Sequence, residues 1–513
     1  MHPAILTALI VTTILVAWIG VVLRINWKTH PDGLFTLFFS EMWERFSFYG
    51  MRALLVLYMT KALLYEDDRA YGVYGAYGAL VYATPALGGL IADRLIGYQR
   101  AIMLGAIFMS IGHFVMAVEN EYFFYSALAF LIVGNGFFKP NISSLVGKLY
   151  PEGDGRRDAG FTLFYMGINA GALLAPLWCG TLGEVYGWHY GFGLAGVGMV
   201  TGLVVFSLNR KKFGERGLPP DRKRLRKPIV PGINLGTGII VAAVLAVPLM
   251  VLLVNQNELM TPVLVAVGVA VVGYMLFFAF RSDKVERDRI FVILVLTLFS
   301  VMFWAFFEQA GSSINLFTDR NVNRTIAGYE IPTSQFQGVN PAFIILLAPV
   351  FSGMWVALAK RNKEPSTPLK FALGILLLGL GFAALVVGAR TAGPTGKVAL
   401  AFLVLAYFLH TTGELSLSPV GLSMVTKLAP AKIVGLAMGT WFLSSAFAHH
   451  VGGLIARLTA VPELEGTAAP VHPTETLPIY AGVFNSIFWV ALAVSILLML
   501  LVPVLKKWMH GVR

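Results

Sequence analysis

Cysteine is nearly absent: Cys179 stands alone among 513 residues. No intrachain disulfide can form, and cysteine usage therefore says nothing about the redox compartment. Charge is also scarce. Asp, Glu, Lys and Arg make up 13% of the chain against 57% hydrophobic residues, whereas a soluble domain carries about 25% charged residues. With a mean hydropathy of +0.73, no water-soluble core could hold so much apolar surface. A soluble globular protein is excluded, leaving a polytopic, all-α membrane protein. HExxH and Asp-rich metal patterns are missing too, so no metal is expected, and no catalytic dyad suggests an intramembrane enzyme. Acidic residues are outnumbered, 27 against 39 Lys and Arg, for a net charge of +12. Such a balance can signal nucleic acid; where the charges fall argues against it.

Fifteen apolar stretches have the length of membrane spans, from 4–23 and 34–60 to 433–456 and 479–505. Threading them alternately assigns 29 Lys and Arg to one side, seven to the other and three to the membrane interior. That asymmetry marks the rich side as cytoplasmic, including residues 209–231 and the C-terminus. Basic charge is thus accounted for by membrane orientation, and no nucleic-acid partner is expected. The first span follows only Met-His-Pro, with no basic residue and no clear cleavage site. It reads as a retained anchor helix with its N-terminus outside.

The basic, Pro- and Gly-bearing segment 209–231 divides the remainder. Six spans precede it within 31–208, two bland spans follow within 232–281, and six more fill 288–505. The two sixes are candidate parallel repeats, the arrangement of the major facilitator superfamily. The expected architecture is two six-helix bundles, a two-helix insert and an extra N-terminal helix at 4–23. The segment 461–477, with Pro462, Pro470 and Pro473, reads as an external loop.

Glu41, Glu44 and Arg45 lie in mid-span, and Arg52 follows on the same helical stripe. A charge at bilayer depth costs about 2.5–3.5 kcal/mol even on lenient scales, so this stripe is expected to face a water-filled cavity. Lys139, Glu308 and Glu414 also fall inside spans. Counted by half, these charges occupy the first and fourth helix of each, the positions that line a central cavity in a pseudo-symmetric transporter. Four carboxylates then face three cations, and one proton makes up the difference. His410 and Glu414 share a helix face, with His449-His450 on the next helix. Without a supporting motif they read as packing histidines rather than metal ligands.

Gly88-Gly89-Leu90-Ile91-Ala92-Asp93-Arg94-Leu95-Ile96-Gly97 resembles the loop signature of the major facilitator superfamily, where Asp93 and Arg94 can act at a cytoplasmic gate. A narrower resemblance rests on three motifs. Glu41-Met42-Trp43-Glu44-Arg45-Phe46-Ser47-Phe48-Tyr49-Gly50 resembles the ExxERFxYYG motif of the proton-dependent oligopeptide transporter (POT) family. Phe164-Tyr165 through Asn169 and Gly171 resembles its FYxxINxG motif, and Gly413-Glu414 through Pro419 and Gly421 its GExxxxPxG motif. Phe137-Phe138-Lys139-Pro140 and Phe303-Trp304 with Glu308-Gln309 fit as well.

The resemblance implies proton-coupled symport of di- and tripeptides by alternating access, with protons as coupling ion, no other cofactor, and the bacterial inner membrane as location. It implies proton coupling at Glu41, Glu44, Arg45 and Glu308, and carboxylate attraction by Arg52 and Lys139. Glu414 with Asn169 and Asn340 would take the peptide amino terminus. Tyr49, Tyr82 and Tyr165 would bond the peptide backbone, while Trp304 and Trp441 wall side-chain pockets. Arg52 with Glu308, and Asp93 with Arg94, would gate. A transporter of another small anionic or zwitterionic solute such as nitrate is the alternative on the same fold. Three departures stand out: Phe48 replaces a first tyrosine, Gly75 stands where some members have a helix-2 histidine, and Ala448-His449-His450 replaces a usual Gly-Asn.

Overall fold

The computed structural model describes residues 2–461 and 472–512, leaving aside the side chains of Pro419, Val420 and Leu422. Apolar runs form helices here because a chain in lipid must bond its own backbone groups. The first helices are α1 (Pro3–Asn26), α2 (Asp32–Lys61), α3 (Asp67–Ile91), α4 (Tyr98–Met116), α5 (Glu121–Lys148) and α6 (Arg157–Ala175). A π-turn at Pro176–Gly180 leads into the short α7 (Thr181–Tyr186), then α8 (Trp188–Leu208). The basic segment holds a single turn, α9 (Arg222–Leu225), before α10 (Leu235–Asn255), α11 (Met260–Arg281) and α12 (Lys284–Phe307). A 3₁₀ turn at Glu308–Gly311 joins α12 to α13 (Ser313–Asn321). The rest are α14 (Val339–Lys360), α15 (Thr367–Arg390), α16 (Leu400–Leu428), α17 (Val434–Arg457) and α18 (Pro473–Trp508).

Local chemistry fixes several starts. Asn120, Asn234 and Asp283 accept from the backbone N–H groups of Tyr122, Thr237 and Glu286, each at 2.9 Å, satisfying first-turn donors of α5, α10 and α12. Between α3 and α4 the chain runs through a π-turn, Ala92–Ile96, and reverses at Gly97, whose φ of +76° favours glycine.

Among the described residues, fourteen helices are long and apolar enough to cross a bilayer. The expected span 34–60 is α2, which has the length and differs from the fourteen by its charges. Large apolar side chains face outward throughout, such as Ile14 at 66% and Leu500 at 72% exposure, as lipid-facing surfaces require. α1 shows the pattern plainly: Ala4, Ala8, Leu15, Ile19 and Leu23 form a buried stripe, and Trp178 Nε1 donates to Thr12 Oγ1 at 2.8 Å. Residues 462–471 of the expected external loop lie outside the described residues, and helix resumes at Pro473.

Contacts divide the chain into two units: residues 1–64, 80–256 and 326–341, and residues 65–79, 257–325 and 342–513. This partition differs from the expected sequence-continuous bundles. The start of α3 groups with the second unit because Asp67 takes a two-pronged bond from Arg320 (2.5 and 2.7 Å) and Asp68 pairs with Arg457. Residues 326–341 group with the first because Glu184 accepts from the N–H groups of Thr333 (3.1 Å) and Ser334 (2.7 Å), and Gln335 donates to Thr181 at 2.7 Å. The expected insert 232–281 is likewise shared. α10 buries Ala243 and Val247 in an apolar cluster with Phe108 and Phe137, whereas Thr261 of α11 bonds His450 at 2.8 Å.

Candidate functional site

In the first unit, α2 carries its acids and base inward. Glu41, Glu44 and Arg45 are 2%, 0% and 2% exposed. Arg45 forks onto Glu44, with Nη2 donating to Oε1 at 2.6 Å and Nε to Oε2. The same Nε lies 3.2 Å from Glu41 Oε1. Glu41 Oε2 is buried without a hydrogen-bond partner among the described residues. Two carboxylates therefore share one guanidinium in a buried setting, where an uncompensated charge is costly. A proton on one acid brings the trio to neutrality.

Packing holds this cluster in place. The guanidinium carbon of Arg45 sits 5.2 Å from the Phe48 ring centre. A side chain at Gly171 of α6 would press on the Met42 carbonyl, on Phe46 N at 2.9 Å and on Arg45 Cβ at 3.0 Å. One at Gly50 would meet Cys179 Sγ at 2.6 Å. Gly171 is thus a position where two helices touch backbone to backbone, and Gly50 one where α2 packs on the Cys179 side chain.

The other residues singled out in this unit lie on α2, α3, α5, α6, the π-turn after α3 and the start of α14. Lys139 Nζ stands 4.1 Å over the Tyr82 ring, and Arg52 Cζ 5.8 Å from that of Tyr49. All four are half-buried. Tyr165 is exposed, while Asn169 is buried and donates to the Tyr165 carbonyl at 3.0 Å. Asn340 is half-buried in the first turn of α14. Asp93 and Arg94 are exposed, and Asp93 accepts from the Tyr98 hydroxyl at 2.5 Å.

In the second unit, Glu308 is buried at the 3₁₀ turn that ends α12. His449 Nε2 approaches its Oε2 at 3.5 Å. The other ring nitrogen, Nδ1, is 2.8 Å from the Ser445 carbonyl, which only accepts, so Nδ1 carries hydrogen. The Nε2–Oε2 contact is then favourable when one partner holds a proton. Room for the ring comes from α3: a side chain at Gly78 would meet His449 Cβ at 2.9 Å, and one at Gly75 would meet Gly453 Cα at 3.0 Å. Sequence reasoning missed this pair. Its signal was the combination of two departures, glycine at 75 and histidine at 449.

Trp304 packs edge-on against Phe303 and Phe307, both at 5.2 Å. Trp441 lies 6.2 Å from Phe371 and over Gly421. Glu414 is buried on α16. One turn earlier, His410 rests against the Phe382 ring at 4.9 Å, a packing contact.

Ionisable groups kept inside spanning helices mark a solute or ion pathway, and with an all-α polytopic fold they define a membrane transporter by class. Comparison with known proteins agrees. The family model described as the POT family matches residues 99–472. Dipeptide and tripeptide permease B of Salmonella typhimurium is 36% identical over 94% of this chain and 96% of its own. Peptide transporter YePEPT of Yersinia enterocolitica is 39% identical over 85% and 89%. A crystal structure of a peptide transporter, a glutamate-to-glutamine variant in complex with alafosfalin, superposes with a TM-score of 0.80 at 40% identity, covering 94% and 96%. The chain belongs to the POT family, and its fold is the major facilitator fold of that family.

Proposed function

We infer that the chain is a proton-coupled symporter of di- and tripeptides working by alternating access. The observation that carries this reading is the Arg45 guanidinium shared by two buried carboxylates, Glu41 and Glu44. Such a trio changes its net charge by one when a proton binds, so its partners can be exchanged only in step with protonation. Glu308 is the second proton-binding group. Arg52 and Lys139 bear the charge for a peptide carboxylate. Glu414, with the amides of Asn169 and Asn340, bears that for a peptide ammonium. Tyr49, Tyr82 and Tyr165 offer hydroxyls to the peptide backbone, and Trp304 and Trp441 offer apolar walls. Gating is assigned to Arg52, Glu308, Asp93 and Arg94.

The location consistent with the charge asymmetry and the bacterial relatives is the inner membrane, with residues 209–231 and the C-terminus cytoplasmic. The chain moves its substrate without altering it. The test is uptake of labelled dialanine into proteoliposomes with and without an imposed pH gradient. The wild type accumulates intact dialanine only with the gradient. Glu44→Gln abolishes that accumulation and retains counterflow exchange. Gradient-driven accumulation by the variant would remove the proposal, and displacement of dialanine by nitrate would redirect it to anions.

A further inference from the structure

A groove of about 700 Å³ lies in the first unit between the N-terminal ends of α4 and α10, under the basic segment, within the usual size range of ligand sites. Its two ends differ in chemistry. At the mouth stand Arg100, Arg210, Arg222 and Arg226, and no carboxylate is among the described lining residues. Deeper along the helices the lining becomes Leu104, Ile107, Ile239 and Ile240. From Arg100 to Ile107 the rise along α4 is about 10 Å, the step from membrane boundary into hydrocarbon. Ile107 is 42% and Ile240 50% exposed, so the apolar end opens sideways to lipid.

The mouth is built rather than incidental. Arg210 is held by Gln99, its Nε donating to Oε1 at 2.8 Å. Gln99 in turn ties the basic segment to α4, donating from Nε2 to the Arg216 carbonyl at 2.7 Å and from its backbone N–H to that of Gly217 at 3.0 Å. The nearby Asp221 carboxylate is occupied in capping α9, accepting from the N–H groups of Lys223 (2.8 Å) and Arg224 (3.0 Å).

We propose that this groove binds one anionic glycerophospholipid, its phosphate among the four arginines and its acyl chains along Ile107 and Ile240. Guanidinium groups pair with phosphate by two parallel hydrogen bonds, and basic pockets at helix ends favour anionic headgroups. A zwitterionic headgroup would bring an ammonium into a mouth whose charged lining residues, among those described, are all cations. The assignment is independent of which solute the chain carries.

Delipidated full-length protein in detergent is titrated with phosphatidylglycerol, phosphatidylcholine or inorganic phosphate, reading bound lipid by native mass spectrometry and Tm by light scattering. Phosphatidylglycerol binds at about one molecule per chain and raises Tm, whereas phosphatidylcholine and inorganic phosphate do neither. Arg100→Gln/Arg222→Gln/Arg226→Gln weakens that binding by about tenfold or more. Ile107→Trp/Ile240→Trp fills the groove with charge unchanged and weakens it equally. Removing three exposed cations elsewhere, Lys360→Gln/Arg361→Gln/Lys363→Gln, leaves it intact. Equal binding of phosphatidylcholine, the same Tm shift from inorganic phosphate, or undiminished phosphatidylglycerol binding by the groove-filling variant overturns the proposal.

Discussion

At the scale of single residues, His449 is the most informative side chain. Its Nδ1–H is spent on Ser445, leaving Nε2 to face Glu308 Oε2 at 3.5 Å. Replacing it by glutamine removes the proton-binding nitrogen while keeping a polar side chain of similar reach. Loss of one charge-assisted hydrogen bond, about 1.5 kcal/mol, corresponds to roughly tenfold in rate. His449→Gln therefore lowers gradient-driven peptide uptake by about that factor, with counterflow exchange unchanged. An equal fall in both assays would mark His449 as a packing residue only. Glu41, Glu44 and Arg45 were legible in the sequence because charge inside an apolar run violates a strong energetic rule. His449 was not. Its meaning depends on a glutamate far away in the chain and on the space left by Gly78, and neither is visible in periodicity.

At the scale of elements, the pairing of α2 with α6 couples packing to the charge cluster. A Cβ added at Gly171 would meet the α2 backbone at Phe46 N and the Arg45 Cβ, at 2.9 and 3.0 Å. Gly171→Val forces the helices apart and displaces Arg45 from its two carboxylates. Overpacking of this kind costs about 1–3 kcal/mol, so the variant shows a lower Tm in detergent together with lost gradient-driven uptake; an unchanged Tm would contradict the close approach. Helix positions were readable from apolar length alone, since lipid allows little else. Their ends were less so. α12 stops at Phe307 and passes through a 3₁₀ turn that carries Glu308, a break that apolar composition does not mark. α18 begins at Pro473, inside what composition suggested was loop, because proline suits a first helical turn.

At the scale of the whole molecule, the proposed orientation rests on where the basic residues lie. Cys179, alone in the chain and fully buried, provides a silent background for thiol labelling. A cysteine placed at exposed Thr325 is expected to react with a membrane-impermeant maleimide in intact cells. One at exposed Lys212 reacts only after permeabilisation. The reverse pattern would invert the assignment. Class and family could be read from composition and three motifs. The partition into contact units could not, because it depends on long-range pairs such as Asp67 with Arg320 and Glu184 with Ser334.

That partition bears on how the protein is made. Neither unit is a continuous stretch, since the first takes residues 326–341 and the second takes residues 65–79. On the ribosome, then, the earlier unit cannot be completed until translation has passed residue 341. Asp67 and Asp68 at the start of α3 are made long before their partners Arg320 and Arg457. A nascent chain arrested at the basic segment has yet to make residues 326–341 and the arginine partners of Asp67 and Asp68.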